Sequence, residues 1–306
     1  MRFFMIQPIK SDFSIHLTLL YLFGNIKKMI LGVYMENEKI QYVTLLTGAC
    51  GGLGHAFATE LTKNGTPILI CGTSETKLTA LKDELSTINK DLKIFSFVLD
   101  LSNQQNIANL ATFLTQHNLQ VNRLINNAGF ITEGSIKNAP IDTLLQTIKV
   151  NCEGTISLTK LILDQKKSDE ELKIITIASL AANYPMPYMA IYASTKSLLK
   201  NFMLSLRYEY RKDNVKVTIV TPSAIATSQA MKDAISAQGF KGKISCVSPE
   251  KIARKSLIKN EHNRAVFIPG GFNKFVNFIS CLTPRALKIH FIGSSWKKSQ
   301  NKRNID

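Results

Sequence analysis

The sequence has little cysteine: five residues, scattered along the chain and never spaced as Cys-x-x-Cys. An odd, dispersed set excludes a disulfide framework and predicts free thiols in a reducing cytosol. Cys71 and Cys152 fall inside predicted elements, where we expect small core residues. The sequence also lacks the cysteine and histidine spacings that bind zinc, so we predict no metal site.

Acidic residues are also few. The chain has 38 lysines and arginines against 22 aspartates and glutamates, which gives a formal net charge of +16. Such an excess suits nucleic acid, a membrane surface or anionic ligands. We find no RNA-binding aromatic signature and no helix-turn-helix pattern, and many of the cations lie near the chain ends. An anionic surface or cofactor is therefore favoured, and nucleic acid is not expected.

Residues 1–34 differ from the rest of the chain. Their apolar run, Ile15 to Phe23, is flanked by lysines and is too short to span a bilayer. Three interpretations stay open: a signal-like segment, an interfacial anchor, or a true start at Met35. The start at Met35 is favoured because it leads directly into the first predicted strand.

From Gln41 onward, strand and helix patterns alternate. The predicted strands are 42–46, 67–71, 92–99, 121–125, 172–178, 215–221 and 266–268. The predicted helices are 53–64, 75–88, 103–117, 141–166, 190–211 and 249–259. This alternation predicts an α/β fold, a Rossmann-type doubly wound parallel sheet in a single domain. We expect a main domain over 35–270 with extensions at 1–34 and 271–306.

A glycine-rich turn joins the first predicted strand to the first predicted helix. It reads Thr47-Gly48-Ala49-Cys50-Gly51-Gly52-Leu53-Gly54. Glycines let the backbone turn tightly and approach a pyrophosphate, while the helix N-terminus presents free N–H groups and a positive dipole. Between a strand and a helix, this turn predicts dinucleotide binding.

A second chemical pattern is the pair Tyr192 and Lys196, one turn apart in the long helix predicted over 190–211. An ammonium beside a phenol favours the phenolate, so the Tyr192 pKa is expected to fall from about 10. Such a phenol can give a proton to a carbonyl oxygen or take one from an alcohol. Tyr208 and Lys212 repeat the spacing, so the pair alone does not identify a site.

Four motifs in chain order resemble those of the short-chain dehydrogenase/reductase family. They are Gly48-x-x-x-Gly52-x-Gly54, Asn126-Asn127-Ala128-Gly129, Ser179 and Tyr192-x-x-x-Lys196. The likeness covers about Gln41 to Ile268, most of the chain. It implies a single-domain Rossmann-type fold that uses NAD(H) or NADP(H) to reduce carbonyls or oxidise alcohols.

Carried onto this sequence, the resemblance makes Tyr192 the general acid and base. It implies that Lys196 holds the nicotinamide ribose and lowers the pKa of Tyr192. Ser179 would hydrogen-bond the substrate carbonyl oxygen, and Asn151 matches a fourth catalytic position, which supports a water-linked proton relay. Taken singly, Ser179 would be a turn cap and Asn151 a helix residue bonded to backbone.

The resemblance also implies the cofactor contacts. Asp100 matches an adenine-contacting acid, and the stretch after Pro222 would anchor the carboxamide, although Ser223 replaces the usual glycine there. The implied cofactor-binding residues are Thr47, Gly48, Gly52, Leu53, Gly54, Thr73, Ser74, Asp100, Asn127, Ala128, Gly129, Tyr192, Lys196, Ile225 and Thr227.

The tip of the second predicted strand bears on the choice of cofactor. NAD-preferring relatives carry an acid there for the ribose hydroxyls, whereas this chain has Cys71-Gly72-Thr73-Ser74. No acid would repel a 2′-phosphate, and the hydroxyls of Thr73 and Ser74, with Lys77, are available to bind it. NADP(H) is therefore favoured over NAD(H), although the arginine found in many NADP-preferring relatives is missing.

Two segments lie outside these motifs. Residues 223–243 are polar and irregular, and in the family this region is the substrate lid. Beyond Gly271, apolar residues recur at helical spacing beside lysines and arginines, at Phe275, Phe278, Ile279, Leu282, Leu287, Phe291, Ile292 and Trp296. Two interpretations stay open: a helix pair packing on the body or on a second subunit, and a basic, aromatic face lying on an anionic membrane.

Together these features predict a cytoplasmic NADP(H)-dependent reductase of an apolar ketone, aldehyde or acyl-type carbonyl. NAD-dependent alcohol oxidation at the same site is one alternative. A dinucleotide-binding regulatory or membrane scaffold with little turnover is another, although the intact catalytic set counts against it. The expected partners are a small carbonyl or alcohol substrate, further copies of the chain in a homodimer or homotetramer, and a membrane surface contacted through the C-terminal segment.

Overall fold

A computed structural model of the chain describes residues 40–223, 225–226 and 244–303. Apart from residues 40 and 41, the described residues belong to one compact unit that begins at Tyr42. The expected N-terminal extension, Thr227 and most of the expected lid lie outside the described residues.

A parallel sheet of seven strands forms the centre of the described structure. The strands are β1 (Gln41–Thr47), β2 (Ile68–Gly72), β3 (Ile94–Val98), β4 (Leu119–Asn126), β5 (Leu172–Ile177), β6 (Val215–Val220) and β7 (Val266–Phe267). Their order is β3-β2-β1-β4-β5-β6-β7. The order reverses between β1 and β4, so a crevice opens beyond the carboxyl ends of these two strands. The predicted doubly wound Rossmann-type fold is confirmed.

Helices lie between the strands and after β7. They are α1 (Gly52–Lys63), α2 (Glu75–Ile88), α3 (Gln104–Gln116), α4 (Ile141–Ile148), α5 (Thr155–Gln165), α6 (Ala190–Glu209), α7 (Pro249–Glu261), α8 (Gly271–Leu282) and α9 (Arg285–Arg303). Three of them begin at a side-chain cap. Ser74 and Ser248 accept from the N–H groups of Lys77 and Lys251, and Asn103 accepts from the first turn of α3. Such caps satisfy backbone donors that the helix itself leaves free.

One long helix was expected over 141–166, and here the structure differs. A π-helical segment, Lys149–Gly154, separates α4 from α5. A Cβ on Gly154 would lie 2.1 Å from the carbonyl oxygen of Leu101, so this stretch packs directly on the loop after β3. Short π-helical insertions are frequent at functional sites, because the extra residue re-aims neighbouring side chains.

The apolar core lies in two layers, one on each face of the sheet. In β5, Ile174 enters one layer and Ile175 the other, because successive side chains of a strand point to opposite faces. Both layers are covered by helices, which explains why these strands are continuous apolar runs in the sequence. All five cysteines are free, and Cys71 and Cys152 are buried as expected.

Candidate active site

The glycine-rich turn at the crevice depends on two glycines. Gly48 has a φ of 63°, and a Cβ on it would lie 2.9 Å from the Cα of Ala128. A Cβ on Gly54 would lie 2.0 Å from the carbonyl oxygen of Gly48, far inside van der Waals contact. Only a residue without a side chain fits at these positions, so the turn packs closely on its own backbone and on Ala128, directly before α1 begins at Gly52.

The turn is tied to the end of β4 by Thr47 and Asn127. The hydroxyl oxygen of Thr47 accepts from the backbone N–H groups of Asn127 and Ala128, at 3.0 and 3.1 Å. The Asn127 side-chain amide donates to the carbonyl oxygens of Thr47 and Gly48, each at 3.0 Å. These two predicted cofactor residues therefore hold the shape of the turn through bonds to each other.

Asn151, in the π-helical segment, is fully buried. Its side-chain oxygen accepts from the Phe130 N–H at 2.7 Å, and its amide donates to the Phe130 carbonyl at 2.9 Å. The same amide donates to the Thr195 hydroxyl at 3.0 Å. Asn151 thus links the loop after β4 to α6 and holds both in place beside Tyr192.

Sequence reasoning missed Thr195 and Phe130 as parts of this site. The Thr195 hydroxyl donates to the Tyr192 carbonyl at 2.8 Å while it accepts from Asn151. A threonine that bonds back to its own helix is an ordinary feature of helices. Its position directly before Lys196 indicates a role in the site only once the hydrogen bond from Asn151 is known.

Lys196 is buried against the loop after β4. Its ammonium donates to the Ile177 carbonyl at 2.9 Å, and a Cβ on Gly129 would lie 3.1 Å from the Nζ atom. Burial lowers the pKa of Lys196 to about 8, and the nearby Cys152 thiol partly opposes that shift. The ammonium lies 5.9 Å from the centroid of the Tyr192 ring.

Ser179 and Tyr192 meet at the end of β5. The hydroxyl oxygen of Ser179 accepts from the Ala181 N–H at 3.1 Å, at the start of a 3₁₀ turn over Leu180–Asn183, and it also hydrogen-bonds Tyr192. Burial raises the pKa of Tyr192, whereas the bond to Ser179 lowers it by a smaller amount. The lowered pKa expected from the sequence is therefore wrong for the protein alone, because desolvation disfavours the phenolate.

Other predicted cofactor residues lie around the crevice. The Asp100 carboxylate, after β3, accepts from the Ser102 N–H and hydroxyl at 2.8 and 2.7 Å. Thr73 is exposed beyond the tip of β2, and Ser74 caps α2. Leu53 is buried in the core, and Ile225 packs against that same core layer.

A cavity of about 320 Å³ opens beside the N-terminus of α6. Its wall is largely apolar and includes Ile136, Leu144, Pro187, Met189 and Ile191. The Gly134 N–H donates to the Tyr188 carbonyl at 2.8 Å, which joins the two loops that form the wall. Ile191, in this wall, directly precedes the predicted proton donor Tyr192 in α6.

The described residues contain no cluster of three or more histidine, cysteine or acidic side chains that could hold a metal ion. Over the same part of the chain, no helix has both the length and the apolar character needed to cross a bilayer.

The pKa of Lys196 leads to a testable pH dependence. Between about 8 and its ordinary value of 10.5, the unfolded chain retains a proton that the folded chain has released. The lysine therefore adds to the stability of the folded state as pH rises through this window. We expect Lys196→Met to lack that gain. Urea unfolding from pH 7.5 to 10.5 should show the free energy of unfolding of wild type rising relative to that of Lys196→Met. The exposed Lys63→Met is the control, and a flat difference for Lys196→Met would contradict the burial argument.

A parallel sheet with a glycine turn at its crevice, and a serine, tyrosine and lysine gathered beside it, defines an oxidoreductase of the Rossmann class. The chain belongs to the short-chain dehydrogenase/reductase family, since the family model described as short chain dehydrogenase matches residues 42–238. This confirms the resemblance drawn from the four motifs.

Individual relatives agree with this assignment. The chain is 30% identical to a dehydrogenase/reductase SDR family protein 7-like of Anopheles gambiae over 62% of its length and 61% of that protein's. It is 29% identical to dehydrogenase/reductase SDR family member 7B of Mus musculus, over 71% and 67%. It is 30% identical to a very-long-chain 3-oxoacyl-CoA reductase of Podospora anserina, over 61% and 55%. The chain thus spans 55% to 67% of the length of these relatives.

A solved structure supports the fold. The L-sorbose reductase of Gluconobacter frateurii, complexed with NADPH and L-sorbose, superposes with a TM-score of 0.68 at 20% identity. The match covers 76% of this chain and 96% of that one.

Proposed function

We propose that the chain is an NADP(H)-dependent reductase of an apolar ketone, aldehyde or acyl-type carbonyl. The observation that carries this proposal is that Ser179 and Tyr192 are hydrogen-bonded to each other with the Lys196 ammonium near the Tyr192 ring, while an apolar cavity opens at the N-terminus of the same helix, α6. The relative named as a very-long-chain 3-oxoacyl-CoA reductase and the NADPH complex of L-sorbose reductase support the direction and the cofactor.

The glycine turn fits a dinucleotide because Gly48 and Gly54, where a Cβ would clash with neighbouring backbone, keep the turn tight directly before the N-terminus of α1. Under this proposal, the turn and the N-terminus of α1 hold the pyrophosphate, and Asp100 contacts the adenine side. Tyr192 and Lys196 hold the nicotinamide ribose, while Ile225 and Thr227 hold the carboxamide. When bound, the reduced nicotinamide supplies a hydride.

Ser179 and Tyr192, which meet at the end of β5, then act on the substrate carbonyl oxygen. Ser179 donates a hydrogen bond to it and stabilises the negative charge that develops there. Tyr192 transfers its phenolic proton to the same oxygen. The raised pKa of Tyr192 favours this direction, since the proton stays on the phenol until the oxygen becomes basic. The buried Lys196 ammonium then favours the phenolate that remains. Asn151 positions the surrounding backbone, and a water-linked relay from it would restore the proton.

The cofactor preference has a direct test in Gly72→Asp. A Cβ on Gly72 would meet Leu78 Cδ2 at 3.6 Å and Cys50 Sγ at 3.8 Å, which are ordinary contacts, so the fold should tolerate the change. The new carboxylate would lie where a 2′-phosphate is expected. We therefore expect the ratio of NADPH to NADH affinity to fall by about tenfold or more, given the repulsion between like charges in a partly buried site.

Titration of both cofactors by nucleotide fluorescence would measure that ratio. Thr87→Asp, on the exposed far end of α2, adds the same charge away from β2 and serves as the control. If the wild-type protein already prefers NADH strongly, the assigned cofactor is wrong.

The overall activity is tested with a panel of carbonyls and alcohols, assayed with both cofactors by the absorbance of the reduced nicotinamide. Reduction with NADPH supports the proposal, and oxidation with NAD favours the alternative of alcohol dehydrogenation. Dinucleotide binding without turnover across the panel would favour a regulatory scaffold.

The proposal also includes the domain bounds, the oligomeric state and the location of the enzyme. The catalytic domain would be residues 35–270, between extensions at 1–34 and 271–306. We infer a homodimer or homotetramer in the cytoplasm, with a peripheral membrane contact through the C-terminal segment, because that segment presents apolar side chains beside cations.

A further inference from the structure

Helix α8 presents its polar side to the protein and its apolar side outward. Asn273 is 2% exposed, and its amide donates to the carbonyls of Ser245 and Pro269, each at 2.8 Å. One turn later, Asn277 accepts from the amide of Asn183 at 2.6 Å. The apolar positions lie on the opposite side and are exposed, at Phe275, Phe278, Ile279 and Leu282. An amphipathic helix on a globular protein normally has the reverse orientation.

Helix α9 extends the same arrangement. A Cβ on Gly293 would lie 3.2 Å from Pro187 Cγ, so this side of α9 rests closely on the loop before α6. Leu287 and Phe291, four residues apart, are 51% and 68% exposed. We call the exposed apolar side chains of the two helices the C-terminal face. It comprises Phe275, Phe278, Ile279, Leu282, Leu287 and Phe291.

The charges around the C-terminal face have one sign. Residues 271–303 contain no aspartate or glutamate. Their lysines and arginines are Lys274, Arg285, Lys288, Lys297, Lys298, Lys302 and Arg303. Of these, Lys274, Arg285, Lys297 and Lys298 are exposed in the structure.

We propose that the C-terminal face binds an anionic bilayer and holds the cavity beside Tyr192 at the lipid surface, so that the substrate is a carbonyl compound resident in the bilayer. Large apolar side chains enter the boundary between headgroups and acyl chains, while surrounding cations pair with anionic headgroups. A second copy of the chain fits less well, because a two-fold interface would bring the same cationic patch against itself.

The helices that carry the C-terminal face also pack on the protein near the cavity, through their inner sides. Asn183, bonded to Asn277 of α8, lies in the 3₁₀ turn directly after Ser179 and also accepts from the Lys200 ammonium of α6 at 2.5 Å. Pro187, against which α9 packs, lines the cavity itself. A bilayer in contact with the outer side of α9 therefore lies one helix diameter, ~10 Å, from the cavity wall. The substrate part of this inference rests on the proposed function.

Vesicle flotation of the full chain tests the membrane contact. We expect the protein to float with vesicles of phosphatidylcholine and phosphatidylserine, and less with phosphatidylcholine alone or in high salt. The double variant Leu282→Ser/Phe291→Ser should partition at least about tenfold more weakly, since each buried side chain of this size favours the lipid by about tenfold or more. Tyr208→Ser, which changes a side chain also 68% exposed, is the matched control.

A charge series separates electrostatic from apolar attraction. Changing Lys274, Arg285, Lys297 and Lys298 together to glutamine should weaken flotation by about tenfold or more. Changing the exposed Lys63, Lys82, Lys90 and Lys93 to glutamine removes the same charge elsewhere and should leave flotation nearly unchanged. If the face variants float like wild type, the proposal is overturned. It is equally overturned if wild type does not float, and dissociation of an oligomer by the double variant in light scattering would then assign the face to a second copy of the chain.

Activity measurements test the source of the substrate. A long-chain aliphatic ketone held in the same anionic vesicles should be reduced about tenfold more slowly by the double variant, in line with its weaker partition. A short, water-soluble ketone should be reduced at the wild-type rate. Equal losses on both ketones would reject delivery from the bilayer. If wild type reduces neither ketone nor any compound of the carbonyl panel, the proposed function fails, while flotation still decides the membrane contact.

Discussion

Tyr192→Phe should lower carbonyl reduction by about 10²–10⁴-fold while dinucleotide affinity stays nearly unchanged, because the variant keeps the ring and loses only the proton donor. The hydroxyl that is removed bonds Ser179 at the end of β5. Ser179 remains to bind the carbonyl oxygen, so the rate should fall through the turnover number more than through substrate binding. Steady-state kinetics with NADPH and fluorescence titration of the cofactor measure the two quantities separately.

Tyr208→Phe is the matched control for this change. Tyr208 and Lys212 have the same spacing as Tyr192 and Lys196, but Tyr208 is 68% exposed and lies under the Arg211 guanidinium, 4.0 Å from its ring centroid. We expect this variant to reduce carbonyls at nearly the wild-type rate. A loss of less than about tenfold in Tyr192→Phe would contradict the role of Tyr192 as the proton donor.

Gly54→Ala should weaken dinucleotide binding by about 100-fold, although it adds a single methyl group. The new Cβ would lie 2.0 Å from the Gly48 carbonyl oxygen and 2.9 Å from the Ala49 Cα. Both neighbours are backbone atoms, so the glycine turn itself must move. Overpacking of this kind costs about 1–3 kcal/mol, and a turn displaced from the pyrophosphate loses affinity of a similar size.

Gly51→Ala, in the same turn, is the control. Gly51 is exposed and has a negative φ, and its Cβ would come no closer than 3.5 Å to the Gly48 carbonyl oxygen. Calorimetric titration of both variants measures affinity, and thermal unfolding by circular dichroism shows whether the fold persists. If Gly54→Ala binds NADPH as tightly as Gly51→Ala does, the close approach at Gly54 is not what shapes the cofactor site.

The strands, the helices and the glycine turn were predictable because each depends on residues that are close together in the sequence. Strands buried on both faces appear as apolar runs, and helices begin at residues such as Ser74 and Asn103 that cap them. The need for glycine at Gly48 and Gly54 is likewise a backbone property. For these reasons the alternation of strands and helices, the parallel sheet and the glycine turn followed from the sequence by itself.

Other features depend on groups that are distant in the sequence, and only the tertiary structure decided them. The pairing of Asn151 with Phe130 and Thr195 joins three separate elements through a π-helical segment that helical periodicity does not reveal. The pKa of Tyr192 rises because burial, which no spacing records, outweighs its neighbours. The apolar periodicity of α8 shows that the helix has two unlike sides. Which side faces the protein was decided by the carbonyls of Ser245 and Pro269, which bind Asn273 and so turn Phe275 and Leu282 outward.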